Sequence, residues 1–183
     1  MSFQPAEEFL RERGAALLRH PGGTLYEHLV RVSATLKRWG AEPATQAAGL
    51  CHASYGTDGF DVTLMRLDER PVLVELIGQP AESLVYLYGS CDRGAVYPQF
   101  RTSEPIVFRD RFTGVTHCPS EEDCRAFMEI TAANELDVLA RDPGLAAKHS
   151  ASLFRMFRAA RGYLSDTAWQ ACEEQLGSSP WER

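Results

Sequence analysis

The stretch PATQAAGLCH, residues 43–52, constrains the fold more than any other part of the sequence. Wound as a helix, it places Ala44, Ala47, Ala48, Leu50 and Cys51 so that almost no polar face remains. A helix that is apolar nearly all round has to be enclosed by other elements, so the chain has to build a bundle around it. The same stretch ends in a histidine, His52, and then runs into the glycine-containing loop ASYGTDG. An imidazole at the end of a central helix needs partners that alanines cannot supply.

The flanking sequence supplies the enclosure. Pro5 with Glu7 and Glu8 predicts a first helix whose stripe of Phe9, Leu10, Ala16 and Leu17 runs on to HPGG. TLYE reads as a capping box, Thr24 answered by Glu27, and opens a second helix along Leu25, Leu29, Val32, Leu36 and Trp39. Two short helices are expected from Pro71 and Pro80, separated by Gly78, the second continuing through AESLVYLYGSCDR. PIVFRDRFTGVTHCP alternates β-branched or aromatic residues with polar ones around Thr113-Gly114, which predicts a small β-hairpin near 100–118. Ser120 then caps a long helix reaching Arg141, and two more are expected over about 145–161 and 166–176. With no repeat, low-complexity tract or linker, residues 1–183 read as a single, mainly α domain.

Composition narrows the function. A net charge of −6 argues against nucleic acid as the partner, because that affinity comes from Lys and Arg on phosphates. No stretch is apolar enough to span a bilayer, and MSFQPAEEFLRERG lacks the apolar region of a signal peptide. Five cysteines without a C-x-x-C pair suit a reducing, cytoplasmic setting, most of them serving as small apolar residues.

Three polar residues are expected on inward faces. His28 falls within ~60° of Leu25 and ~40° of Val32, and His52 within ~40° of Ala48. Asp92 projects within ~20° of Val85 and Ala81 and ~40° of Tyr88, the apolar face of its helix. A buried carboxylate at a helix C-terminus opposes the macrodipole and needs a cation or several donors. A metal bound by His28, His52 and Asp92 would meet all three needs. His20 and Asp58 stand in reserve as further ligands, each more simply read as a loop residue. Asn134 falls on the apolar face of its helix and has to find a partner there. The aromatics Tyr26, Tyr55, Tyr86, Tyr88, Tyr97 and Phe100 suit the walls of a pocket for an organic small molecule, although aromatics at helical spacing are more often core.

TLYEHLVRV, AGLCHASYG and YLYGSCDR together resemble the HD superfamily, helical metal-dependent phosphohydrolases with the signature His … His-Asp … Asp. The three positions lie 24 and then 40 residues apart, as the resemblance requires. GGTLYEHL, AGLCHASYGT and LIGQPAESLVYLY look closer still to an uncharacterised HD-like family of bacterial and plant proteins. The resemblance covers about residues 15 to 95 and implies an HD-like helical bundle. It also departs from the signature: Ala53 stands where the doublet has its aspartate. What is left, His28, His52 and Asp92, has the composition of a 2-His-1-carboxylate site for a divalent metal, Fe, Mn or Zn.

The expectation is therefore a metal-dependent enzyme acting on a small molecule, by oxidative or hydrolytic chemistry. Its catalytic residues would be His28, His52 and Tyr55, with Tyr55, Tyr88 and Asn134 binding substrate. The alternative is a metal-free HD-like protein that uses the same pocket for ligand binding or acid–base chemistry.

Overall fold

The structure is a computed structural model that describes residues 3–60, 62–101 and 105–177. It is mainly helical, with two small antiparallel hairpins. The helices are α1 (Gln4–Glu12), α2 (Leu25–Arg38), α3 (Pro43–Cys51), α4 (Arg70–Ile77), α5 (Gln79–Ser90), α6 (Arg93–Val96), α7 (Glu121–Arg141), α8 (Pro143–Ala159) and α9 (Asp166–Leu176). Strands β1 (Arg19–His20) and β2 (Gly23–Thr24) form the first hairpin, β3 (Phe108–Arg109) and β4 (Thr116–His117) the second. Among the described residues no helix is long and apolar enough to cross a membrane.

Helix α3 lies at the centre, packed against α2, α5 and α7. Ala47, Ala48, Gly49, Leu50 and Cys51 are all buried. Small side chains make this possible: a Cβ on Gly49 would stand 2.2 Å from Leu36 Cδ1 of α2. The capping box forms as expected, with the Glu27 N–H donating to Thr24 Oγ1 and the Thr24 N–H to the Glu27 carboxylate. It fixes where α2 starts, and so the phase at which His28 turns inward.

Three expectations need correction. The first helix stops at Glu12 because Gly14 adopts φ 84°, a left-handed conformation that ends it. Leu17 is consequently exposed rather than part of an apolar stripe. His20, more simply read as a loop residue, instead belongs to β1 and pairs with Gly23 across the bend at HPGG.

The third correction bears on the site. Helix α5 ends at Ser90, short of Asp92. The predicted β-hairpin is present, pairing Phe108 with His117 and Arg109 with Thr116, and its backbone docks on the chain that leaves α5. The Asp92 N–H donates to the Arg109 carbonyl and the Arg111 N–H to the Ser90 carbonyl. Cys91 also forms a bridge with Asp110. This pairing draws Cys91 and Asp92 into extended backbone, and helical phase no longer predicts where Asp92 points.

Cys51, Cys91, Cys124 and Cys172 are buried free thiols that fill the core, while Cys118 is exposed.

Candidate functional site

The ends of several elements meet around one cavity of about 260 Å³. Hairpin β1–β2 contributes Arg19, His20 and Pro21, α2 gives His28, and the end of α3 gives His52 and Ala53. The turn after them supplies Thr57, Asp58, Gly59 and Phe60; Arg93 comes from α6, Asn134 and Glu135 from α7.

Three imidazoles form the polar heart of this cavity. His20 stacks on His28 with ring centroids 4.0 Å apart, and His28 meets His52 edge-on at 5.4 Å. Tyr88, buried on α5, packs edge-on against the far side of His52 at 5.1 Å. The capping box and the small residues of α3 thus bring together two of the three residues singled out from sequence.

Each imidazole is held differently. His52 is the C-cap of α3, and its Nδ1–H donates to the Gly49 carbonyl at 2.8 Å. That bond fixes the tautomer and leaves Nε2 as an acceptor. Burial, reinforced by His28 nearby, lowers the His52 pKa to about 3, so the ring is neutral at physiological pH. His20 is lowered to about 4, again chiefly by burial and then by His28. Its Nδ1 is buried and has no hydrogen-bond partner among the described residues.

His28 is gripped from both sides. Its Nδ1–H donates to Asp137 Oδ2 at 2.7 Å, and its Nε2 faces Asn134 Oδ1 at 3.0 Å. Asn134 is oriented by its own Nδ2, which donates to Glu135 Oε1 at 3.1 Å. Both ring nitrogens of His28 therefore face oxygen atoms. Asp137 also receives a forked pair from Arg31 at 2.8 and 2.9 Å, with Arg141 3.5 Å away. Burial pushes the Asp137 carboxyl up, but the bonds from His28 and Arg31 outweigh it and hold the group well below the usual carboxylate range.

Asp137 escaped the sequence reading, although its signal was present. It stands three residues after Asn134, on the same face of α7, opposite a His28-x-x-Arg31 pair on α2.

The remaining expected site residues lie elsewhere. Asp92 caps α6 through the Ala95 N–H and faces Arg109 at 3.5 Å; it does not line the cavity. Tyr55 is buried on a different network, its hydroxyl donating to Glu82 at 2.9 Å. Tyr88 supports His52 from behind, its hydroxyl accepting from Arg93 at 3.2 Å. Asp58, held in reserve at first, does reach the cavity, where its Oδ2 accepts the Arg93 backbone N–H at 2.9 Å.

A 2-His-1-carboxylate metal site does not fit this arrangement. Asp92 is engaged away from the histidines, and His28 has both nitrogens bonded. Among the described residues no group of three or more His, Cys, Asp or Glu side chains is arranged to hold a metal ion. The cavity instead pairs a ring that donates, His28, with one that accepts, His52, in a wall that also holds Arg93, Asp58 and Asn134.

Comparison with known proteins adds one finding. Residues 9–93 match a family model described as a domain of unknown function, DUF6817. That span holds His20, His28, His52, Asp58 and Arg93, whereas Asn134, Glu135 and Asp137 lie beyond it. No curated protein and no solved structure matches the chain.

Proposed function

We propose that this chain is an HD-like protein whose cavity binds a small molecule and transfers protons through His28 and His52 without the metal set His28, His52 and Asp92. The observation that supports this best is His52 itself. It is a buried neutral imidazole whose tautomer is locked by the Gly49 carbonyl, with its acceptor nitrogen free and a donating imidazole beside it. A ligand oxygen or nitrogen that took the place of the Asn134 carbonyl would meet the His28 N–H and lie near the His52 lone pair. That is the arrangement general acid–base chemistry needs, with Asp137 and Arg31 holding the donor in place.

Ala53 favours the same reading. It lines the cavity where the resembled hydrolases place a metal-binding aspartate, and its methyl group offers a metal nothing. The metal-dependent alternative, with Fe, Mn or Zn, differs in one measurable respect. Protein purified without chelator and then loaded with Fe, Mn or Zn is expected to hold no tight equivalent by elemental analysis. Stoichiometric metal that His52→Ala abolishes would overturn the proposal. Ring ¹⁵N spectra give a second check: His52 is expected as the neutral Nδ1–H tautomer between pH 6 and 8.

A further inference from the structure

We propose that the ligand of this cavity is a small organic anion, a carboxylate, anchored by the guanidinium of Arg93; this rests on the small-molecule reading above. Three arginines of similar exposure make the comparison. Arg31, Arg70 and Arg93 have side chains 24%, 35% and 22% exposed. Arg31 forks onto Asp137 at 2.8 and 2.9 Å, and Arg70 onto Glu82 at 2.6 and 2.9 Å. Arg93 makes no such fork. Its Nη1 reaches Glu135 at 3.4 Å and its Nη2 reaches the Tyr88 hydroxyl at 3.2 Å.

Beyond this single long contact with Glu135, the other acid of the cavity wall is otherwise used. Asp58 accepts the backbone N–H of Arg93, not its side chain. Buried guanidinium groups usually end in a bidentate carboxylate pair, because that geometry offsets their desolvation. In Arg93 the fork is left for something that enters the cavity.

The surrounding charge agrees. Arg19 lines the mouth, exposed and without a carboxylate partner among the described residues. Around the cavity stand Arg19, Arg31, Arg93 and Arg141 against Asp58, Glu135 and Asp137. A local surplus of positive charge in a chain of net charge −6 favours the approach of an anion here. Size sets the other limit. A volume of about 260 Å³ is below the range of about 300–1,000 Å³ common for drug-sized ligands, so the anion is small. Leu25, Val138 and Leu145 give its carbon skeleton an apolar wall.

The test uses three probes of one shape, butyrate, butyramide and butylammonium, titrated into full-length protein labelled in its histidine and arginine side chains. Butyrate is expected to shift the His52 ring and Arg93 Nε–H signals and to bind at least tenfold more tightly than the other two. In Arg93→Gln, with folding checked by circular dichroism, that preference is expected to disappear. Arg93→Lys keeps the charge without the fork and is expected to retain part of it. If Arg93→Gln does not fold, the selectivity of the wild-type protein and of Arg93→Lys still decides. Preference for butyramide or butylammonium, with the His52 shifts retained, would overturn the anion assignment and leave the pocket reading standing. Absence of any His52 shift with all three probes would overturn both.

Discussion

Two polar assemblies buried among the described residues are finished to different degrees. In one, Glu82 is fully buried and accepts from Tyr55 at 2.9 Å and from Arg70 at 2.6 and 2.9 Å. Arg70 lies over the Tyr86 ring, whose hydroxyl donates to Asp110 at 2.7 Å. Donors and acceptors there meet at short distance. In the other, around the cavity, His20 Nδ1 has no partner among the described residues, His52 has an acceptor nitrogen to spare, and Arg93 lacks a fork. A closed network specifies a fold; unused bonding capacity around a cavity lowers stability and is what a binding site needs. The contrast separates structural polarity from functional polarity within one small bundle.

The largest expected effect falls on the finished network. Glu82→Ala strands Arg70 and Tyr55 and is expected to cost about 3 kcal/mol in chemical denaturation, as removing one partner of a buried pair usually does. Butyrate binding by the fraction still folded should be unaltered; a loss of binding would erase the distinction between the two assemblies. Asp137→Asn is expected to cost about 2 kcal/mol, because Arg31 loses its buried charge partner. Unlike Glu82→Ala, it should also change the His28 ring ¹⁵N pattern.

Acid sets the third test. His52 and His20 are held below the ordinary histidine value of about 6.5, so below that pH the unfolded chain takes up protons that the folded protein refuses. Stability should therefore be full above pH 6.5 and fall as pH drops toward 4, by up to about 1.4 kcal/mol per pH unit for each group. His52→Gln should flatten that slope in denaturation curves taken between pH 7 and 4.5; an unchanged slope would mean that His52 is not the buried neutral base. The smallest effect is expected from Tyr55→Phe, about 1.5 kcal/mol for one hydrogen bond to a charged acceptor, with no change in ring signals or probe binding.

Much of the fold was legible because helices announce themselves locally. Thr24 with Glu27, Pro43, Gly78 and Ser120 each mark a boundary that needs no knowledge of the rest of the chain, and they fix the phases that turn His28 and His52 inward. The hairpin was legible from its alternation. Its effect on α5 was not, because the pairing of Asp92 with Arg109 joins segments that no local pattern connects. Asp92 was misplaced for that reason. For Tyr55, an aromatic near a histidine in sequence says nothing about which neighbour its hydroxyl will find; Glu82 took it. Asp137 and Asn134 were half visible. Asn134 stood out as a polar residue on an apolar face and Asp137 went unnoticed three residues on; only the packing of α7 on α2 identifies His28 as the partner they share.

The cavity also has a consequence for where this molecule can be cut. The matched family span closes at Arg93, yet α7 begins at Glu121 and brings the Asn134, Glu135 and Asp137 that orient His28. A fragment trimmed to that span would keep three histidines while exposing the apolar flank of α3 and leaving His28 with neither of its oxygens. As a unit for transplantation or recombination, the smallest self-sufficient piece is set by the brace across the site and not by the edge of sequence similarity.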